Sequence, residues 1–384
     1  MMTFPEDAEI YPLRLEPIVK EKPWGGHALA RVAHKTLPPQ VKIGETWEAW
    51  EGCTVANGRF QGRTLREVLA ADARALLGDA SGAAAAFSAS HTSARDTGAH
   101  LPLLFKYIDA NDPLSVQVHP DDLAAWEFER QSLGKTEAWY ILHAEPGATV
   151  IHGFSRPASL EMIRAGLAQN TLAELLAAVR VRRGDVVFVP AGTIHAIGKG
   201  IVLAEIQQSS DTTYRLYDWD RRDETGRPRE LHVDKALRVT EYDVPGGHLV
   251  PALSVTREYG EQQYLVACRY FALERLALQR AARPFALGGK FHILAFLSGE
   301  AQITFGPSGA WQAGARAGET FVVPAGLEQY GLSPSTPECE LLRMYVPALS
   351  ADVVEPLLAA GFDRERIARL GGPIAQHNDL RALL

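Results

Sequence analysis

A motif that occurs twice, 134 residues apart, places the strongest constraint on how this chain folds. Each copy reads G-x5-P-x-G-x2 followed by a polar residue, and the copies occupy residues 184–195 and 318–329. Each contains the apolar run of a β-strand, a Pro-Ala-Gly turn and the start of a second strand. A pattern repeated at a fixed offset predicts two structural units of the same kind. The copies differ at the last position, which is His195 in the first and Gln329 in the second.

A second stretch, Leu114–Pro120, reads as a β-strand with two unlike faces. Alternate residues are apolar, and the residues between them are Ser115, Gln117 and His119. A row with a hydroxyl, an amide and an imidazole, but no lysine or glutamate, is unusual for a solvated face. It predicts the wall of a site. The alternative is a core strand with one hydrogen-bonded histidine.

Three residues in separate stretches are of the kinds that bind zinc, iron or manganese. They are His119, Glu137 and His195, with Gln117 as a neutral fourth contact. Their scatter along the chain is expected when neighbouring strands of a barrel each supply one ligand. We therefore predict one divalent metal site. Because no cysteine belongs to the set, the residues themselves do not select among these metals. The alternative is a site that has lost its metal and kept its fold.

Several segments carry a resemblance to known proteins. Residues 184–195 resemble the second motif of the cupin superfamily, although Lys199 stands where that motif has a later asparagine. Over roughly the first 235 residues, the chain also resembles the bacterial form of type I mannose-6-phosphate isomerase. Four segments in the family's order carry this second resemblance: 117–120, 135–137, 190–195 and 210–215.

The resemblance implies a mainly β fold with two cupin, or jelly-roll, β-barrels, and the 384-residue length suits two domains. Residues 1–245 would form a metal-binding catalytic domain with a helical insertion at about 155–182. Residues 246–348 would form a second barrel without a metal, because Gln329 replaces the histidine and no Q-x-H segment precedes it. Residues 349–384 would form a helical C-terminal extension.

Three charged residues are candidates for the chemistry. Lys106 lies in an apolar strand, where it is either a lysine at the strand edge or the partner of an anion such as phosphate. Glu205 lies in a buried-type strand, where desolvation would raise its pKa and suit a general acid or base, or it forms a buried salt bridge. Lys135 shares a strand face with Glu137, as a surface ion pair or as a cation close to substrate.

The family resemblance assigns further roles. Arg215 matches the arginine regarded as catalytic in the family, and a guanidinium can hold a phosphate or stabilise a developing enediolate. Lys106 and Ser115 would anchor the phosphate, and Lys135 would add positive charge near the reacting carbons. We place Asp211 in substrate binding, where it would orient Arg215.

The implied reaction is the reversible isomerisation of mannose 6-phosphate and fructose 6-phosphate through an enediol. Zinc is the family's usual metal, and the partner would be a phosphorylated hexose. Three alternatives stay open: the same chemistry on another aldose 6-phosphate, a cupin oxygenase acting on a small organic molecule, and a non-catalytic sugar-phosphate-binding protein.

Composition argues against other classes of partner. The net charge of −7 comes without a basic stripe, which disfavours nucleic acid. No apolar run of about 18 residues indicates a membrane span, and the acidic, proline-broken N-terminus does not read as a signal peptide. Cys53, Cys268 and Cys339 are few and far apart, which is typical of a cytosolic protein. We expect a cytoplasmic monomer or homodimer.

Helical spacing and capping residues predict a small number of helices. They follow Thr64 to about Leu77 and cover Ser159–Leu167, Thr171–Val179, Val353–Ala360 and Arg364–Leu370. Asn170 is expected to cap between the second and third of these. Residues 80–100, rich in alanine, serine, glycine and threonine, are expected to form a mobile loop.

Overall fold

The structure is a computed structural model that describes most of the chain. It covers residue 5 and residues 8–78, 100–222, 225–243, 246–282, 284–373 and 377–384. The segment predicted as a loop therefore lies outside the described residues, except for its last residue. Over the described residues the chain is mainly β, with four antiparallel sheets, named A to D below. No helix within these residues is long and apolar enough to cross a membrane.

Sheets A and C have the same order of strands. Sheet A consists of Val186–Val189, Glu137–Ala144, Ile201–Gln208, Leu103–Ala110, Ile43–Ala49 and Ile18–Gly26. Sheet C consists of Thr320–Val323, His292–Ser298, Cys339–Tyr345, Ala272–Leu278, Gly260–Ala267 and Leu253–Arg257. Beyond Thr320–Val323, sheet C continues with Leu13–Glu16 and Thr54–Val55. The N-terminal strand therefore pairs with the second half of the chain.

Sheets B and D are smaller and also correspond. Sheet B consists of Tyr214–Tyr217, Val116–Val118, His195–Ile197, Thr149–Phe154 and Leu176–Arg180. Sheet D consists of Phe285–Ala286, Gln329–Pro334, Glu300–Phe305 and Trp311–Arg316. The first copy of the repeated motif leads from sheet A into sheet B, and the second leads from sheet C into sheet D.

The two faces of sheet A pack against different partners. Side chains on one face, such as Tyr107, join a large apolar core with Ile293 and other residues of sheet C. Side chains on the opposite face, such as Trp139, pack with Ile197 and other residues of sheet B. Because successive side chains of a strand alternate between faces, the residues between the core positions all face sheet B. This inner face carries the candidate site.

Helices pack on the outer face of sheet B and elsewhere on the two halves. The α-helices of the described residues are Ala28–Val32, Leu65–Leu77, Asp122–Glu129, Leu160–Ala168, Val233–Val239, Glu355–Ala359 and Arg364–Ala368. Short 3-10 turns lie at Gly58–Phe60, Leu172–Leu175, Pro307–Gly309, Ala325–Leu327, Arg369–Gly371 and Arg381–Leu383, and a π-turn at Ser350–Val354. The predicted capping box is present: the Thr64 side chain accepts from the Glu67 amide, and the Glu67 carboxylate accepts from the Thr64 amide.

The helix predicted at Thr171–Val179 is wrong. Residues 172–175 form one 3-10 turn, and Leu176–Arg180 is a strand that pairs with Thr149–Phe154. Pairing with a neighbouring strand overrides a local helical spacing, because the ladder satisfies the same backbone groups. Asn170 follows the end of Leu160–Ala168 in the left-handed conformation, with φ of 56°, which closes that helix and does not begin another.

Candidate active site

Strand pairing brings three charged side chains together on the inner face of sheet A. Glu205 lies opposite Lys106 on one neighbouring strand and opposite Trp139 on the other. Glu137 lies two residues before Trp139, and therefore on the same face. All four side chains are buried.

Sheet B faces them with its polar row. Val116 and Val118 pack outward in an apolar cluster under the helices, so Gln117 between them points inward, opposite His195 on the next strand. The turn of the motif sets the position of His195. Gly192 in that turn has φ of 83° and donates its amide to the His119 carbonyl, which ties the two histidine-bearing segments together.

The two histidines approach one carboxylate. His119 Nε2 lies 3.5 Å from Glu137 Oε2, and His195 Nε2 lies 3.3 Å from Glu137 Oε1. One candidate ligand atom from each of His119, Glu137 and His195 lies within 4.8 Å of the other two. Among the described residues, this is the group of side chains that could hold a metal ion. Ligand atoms around a tetrahedral zinc are about 3.3–3.6 Å apart, given bonds of about 2.0–2.2 Å. The spacing therefore fits a single divalent ion.

Backbone carbonyls fix the tautomer of both rings. His119 Nδ1 donates to the Thr212 carbonyl at 2.9 Å, and His195 Nδ1 donates to the Thr193 carbonyl at 2.8 Å. Because a carbonyl oxygen only accepts, each Nδ1 carries the proton and each Nε2 presents a lone pair. This is the outer-shell arrangement that orients histidine ligands in metal sites.

Two buried acceptor atoms of the cluster lack a hydrogen-bond donor. His119 Nε2 and Glu137 Oε1 are buried without a hydrogen bond, although buried polar atoms are nearly always paired. Glu137 Oε2 has the Lys135 ammonium at 3.0 Å. Burial lowers the pKa of His119 to about 3 and also lowers that of His195. Burial alone would raise the pKa of Glu137, but Lys135 and the two histidines hold it well below its usual value. Neutral imidazoles beside a carboxylate are the state that binds a cation.

Gln117 lies beside this cluster with its amide nitrogen, and not its amide oxygen, toward the histidines. Its amide nitrogen lies 3.2 Å from His195 Nε2, and its amide oxygen accepts from the Ser115 hydroxyl at 3.4 Å. To act as a metal ligand, Gln117 would turn its amide over so that the oxygen faces the cluster.

Two lysines surround Glu205. Lys106 Nζ lies 2.9 Å from Glu205 Oε1, and Lys135 Nζ lies 3.9 Å from the same oxygen and 3.0 Å from Glu137 Oε2. Burial raises the pKa of Glu205, helped by the Glu137 charge and opposed by both lysines. Burial acts to lower the pKa of Lys106, but Glu205 and Glu45 together raise it. The result is a buried chain of alternating charges that ends at the histidine cluster.

Arg215 lies at the edge of the site. It sits opposite Gln117 in sheet B, and its Nη1 donates to the Glu230 carbonyl at 2.8 Å, while its Nε is buried without a hydrogen-bond partner. Burial and nearby Arg229 lower its pKa. Asp211 is exposed, and among the described residues the contacts of Arg215 go to Glu230 and His232 rather than to Asp211. Ser115 is buried beside Gln117.

Several contributors to the site were missed by sequence reasoning. The Trp139 indole donates to Glu205 Oε2 at 3.0 Å. Because Trp139 follows Glu137 by two residues in one strand, the sequence could have indicated that both side chains lie on the same face. The Glu45 charge raises the pKa of Lys106, and Glu45 Oε1 lies 3.2 Å from Lys22 Nζ. The sequence gives no sign of this role, because the pattern around Glu45 resembles that of any buried strand. The carbonyls that orient the histidines leave no signal in the sequence, because every residue has one.

Comparison with known proteins identifies the family of this chain. Residues 13–133 match the family described as phosphomannose isomerase type I, catalytic domain. Mannose-6-phosphate isomerase ManA of Bacillus subtilis (strain 168) is 37% identical over 331 residues, which cover 84% of this chain and 95% of that protein. Mannose-6-phosphate isomerase of Streptococcus mutans is 35% identical over 317 residues, covering 82% and 92%.

Solved structures show the same fold. The mannose 6-phosphate isomerase of Bacillus subtilis superposes with a TM-score of 0.74 at 30% identity, covering 87% of this chain and 99% of that one. A mannose 6-phosphate isomerase bound with zinc and yttrium superposes with a TM-score of 0.64 at 18% identity, covering 87% and 99%. From these relatives and the residues gathered at the site, the chain belongs to the type I mannose-6-phosphate isomerase family.

Proposed function

We propose that the chain interconverts mannose 6-phosphate and fructose 6-phosphate with one bound divalent ion, Zn²⁺. The observation that carries the proposal is the convergence of two locked Nε2 lone pairs on the two carboxylate oxygens of Glu137. His119, Glu137 and His195 would hold the ion, and Gln117 would add a fourth contact through its amide oxygen. A zinc ion bound in a structural relative supports the choice of metal.

The reaction needs charge stabilisation and a proton transfer. A proton leaves C2 of the open-chain sugar, an enediol forms, and a proton returns to C1. A bound divalent ion supplies positive charge next to the sugar oxygens on which negative charge develops. Arg215, paired with Gln117 in sheet B, would add further positive charge at the edge of the site.

We assign the proton transfer to Glu205, with Lys135 as the neighbouring cation. Glu205 is buried on the inner face, and its raised pKa suits a general acid or base. Lys135 bridges Glu205 and Glu137, so it lies between the acid–base group and the metal cluster. Glu205→Gln keeps the shape of the side chain and removes its basicity. We expect kcat to fall by about 10²–10⁴-fold with bound zinc retained; a variant with full kcat would remove Glu205 from this role.

Phosphate binding is assigned to the remaining polar residues of the wall. Ser115 presents a hydroxyl beside Gln117, and Lys106 gives the inner face a second ammonium group. The Lys106 ammonium is paired with Glu205. It would therefore attract the phosphate by its charge from a distance, or bind it directly once Glu205 has taken up a proton. Asp211, exposed beside the strand of Arg215, would contact the sugar.

We also propose the finer organisation of the fold. Sheets A and B would form a catalytic cupin barrel within residues 1–245. Sheets C and D would form a second cupin barrel within residues 246–348, extended at one edge by Leu13–Glu16 and Thr54–Val55. The helical insertion predicted at about 155–182 would end before Leu176, because Leu176–Arg180 is a strand of sheet B. The repeated strand order supports this division. Residues 349–384 would be a helical extension. Cys53, Cys268 and Cys339 are free and buried, which supports a cytoplasmic location.

The proposal is tested by metal-dependent activity. Purified protein is assayed for fructose 6-phosphate formed from mannose 6-phosphate, before chelation, after chelation and after zinc is restored. Activity that is lost on chelation and regained with zinc is the expected result. A folded, zinc-loaded protein without activity would contradict the substrate assignment, and a panel of other aldose 6-phosphates would then identify the sugar.

A further inference from the structure

The segment that carries Lys135 is held by its backbone to the start of the helix Asp122–Glu129. The Lys135 amide donates to the Pro120 carbonyl at 2.9 Å. The Gly134 amide donates to Asp122 Oδ1 at 2.7 Å. The Lys135 side chain is thus placed by contacts of residues that do not themselves touch the metal cluster.

Asp122 is the centre of this arrangement. Its Oδ1 accepts from the Gly134 amide and from Gln208 Nε2 at 2.8 Å, and its Oδ2 accepts from the Tyr270 hydroxyl at 3.0 Å. Gln208 in turn accepts from the Thr136 amide at 2.9 Å. One carboxylate therefore fixes the residues on both sides of Lys135.

Gly134 shows how closely this segment is packed. A Cβ at this position would lie 2.3 Å from the Asp121 carbonyl carbon and 2.6 Å from the Pro120 oxygen. No side chain fits there without moving the backbone, so the segment has one position relative to the helix. A displacement of Gly134 would carry Lys135 with it.

Tyr270 brings the second half of the chain into the site. It lies in the turn between the sheet C strands Gly260–Ala267 and Ala272–Leu278. Asp379 near the C-terminus accepts from the Arg269 amide at 2.8 Å and from Arg269 Nε at 2.7 Å, which holds the same turn. Phe271 packs edge-on against Phe188 of sheet A.

We propose that Asp122 and Tyr270 are positioning residues for catalysis, which act through Lys135. The second half of the chain then takes part in the reaction by supplying the hydroxyl that orients Asp122. This inference rests on the role of Lys135 in the proposed function. Asp122 acts on the backbone of this segment directly at Gly134 and through Gln208 at Thr136. Tyr270 acts through Asp122.

The test compares Asp122→Ala, Asp122→Asn and Tyr270→Phe in the zinc-loaded enzyme. We expect Asp122→Ala to lower kcat about 10- to 100-fold with little change in KM, because the reacting groups are displaced. An asparagine keeps an acceptor for Gly134 and Gln208, so Asp122→Asn should retain most of the wild-type kcat. Tyr270→Phe should lower kcat about three- to tenfold. Tyr264→Phe, which removes a hydroxyl of sheet C that lies 3.4 Å from Arg257, is the matched control.

Two further readouts separate positioning from general stability. Amide hydrogen exchange of residues 131–136 in the metal-free protein should become faster in Asp122→Ala and Tyr270→Phe, and stay unchanged in Tyr264→Phe. In a Lys135→Ala background, Asp122→Ala should have almost no further effect on kcat, because the group through which it acts is already gone.

The outcomes distinguish this inference from the function on which it rests. Full activity of Lys135→Ala would overturn the role of Lys135 itself. An impaired Lys135→Ala together with an unchanged Asp122→Ala, or equal losses from Asp122→Ala in both backgrounds, would overturn only the positioning. If Asp122→Ala does not fold, Tyr270→Phe decides: unchanged exchange and unchanged kcat would contradict the coupling to sheet C.

Discussion

The inner faces of sheets A and C carry the same buried pair of charges with the signs reversed. In sheet A, Lys106 lies opposite Glu205, and in sheet C, Glu274 lies opposite Arg343. These positions are equivalent in the two halves. Starting from either copy of the repeated motif, the same succession of paired strands, in the same register, leads to the pair of charges. By the same register, Glu137 corresponds to His292.

The two halves differ in how completely the buried polar atoms near these pairs are hydrogen-bonded. Glu274 accepts from Arg343 Nε at 2.9 Å, from the Tyr345 hydroxyl at 2.7 Å and from Gln262 at 3.1 Å. Over the described part of the chain, some buried side-chain atoms lack a hydrogen bond. None of them belongs to the four residues of this cluster, which are Glu274, Arg343, Tyr345 and Gln262. In the first half, by contrast, His119 Nε2 beside Glu137 is among such atoms. One fold has closed its polar interior in one half and left it open for ligands in the other.

Converting the first site toward the second should have the largest effect. His195→Gln places in the first motif the residue found at Gln329 and removes one locked Nε2 lone pair. We expect bound zinc to be lost and kcat/KM to fall by about 10³-fold or more, since the ion supplies several kcal/mol of charge stabilisation. Zinc content and the isomerase assay measure this, with His143→Gln as control. A variant that keeps its zinc and its activity would contradict the ligand set.

Breaking the sheet C pair should affect stability instead of chemistry. Arg343→Met leaves Glu274 buried without its cation, which lowers the free energy of unfolding by about 3–5 kcal/mol. The kcat of the molecules that remain folded should stay within about twofold of wild type. Urea denaturation and active-site-normalised kcat provide the two readings. In sheet A the matched variant Lys106→Met should lower kcat; equal effects of the two variants on kcat would remove the distinction between the halves.

Acid should weaken sheets A and B through histidines that stay neutral when buried. Burial lowers the pKa of His152 from 6.5 to about 4, and its Nε2 donates to the Phe188 carbonyl. The unfolded chain takes up this proton below pH 6.5 and the folded chain does not, so stability present above pH 6.5 is lost as the pH falls toward 4.

The size of this loss is measurable in zinc-free protein. Between pH 7 and pH 5, His152 should account for a loss of about 2 kcal/mol in the free energy of unfolding. His152→Leu should therefore lose about that much less than wild type over the same interval, as measured by urea denaturation, while the partly exposed His143→Gln should not differ from wild type. Parallel pH dependence of His152→Leu and wild type would show that His152 is already charged in the folded state.

Local patterns in the sequence account for much of what was predicted. The capping box at Thr64, the polar row around Gln117 and the two candidate ligand histidines each depend on residues close together in sequence. Periodicity, turn residues and caps act over a few positions, so they are visible without the fold.

The features that were missed depend on long-range pairing. The strand Leu176–Arg180 forms because Thr149–Phe154 lies beside it, and Leu13–Glu16 crosses to Thr320–Val323 in sheet C. The contact of Tyr270 with Asp122 joins residues 148 positions apart. No local spacing encodes such contacts, because a strand's partner is chosen by packing and by the neighbours that the whole fold supplies.

The smallest effect is expected from converting the second site toward the first. Gln329→His restores the motif's histidine in the second copy, yet we expect no second zinc ion and unchanged isomerase activity. The partner of Gln329 in the ladder is Ala286, which offers no ligand where the first copy has Gln117, and His292 already contacts the Tyr330 hydroxyl at 3.0 Å. Arg343, paired with Glu274 on the inner face, adds a positive charge that opposes a cation. Zinc content measured by mass spectrometry of the native protein checks this; a second stoichiometric ion would show that one histidine is all that separates the two halves.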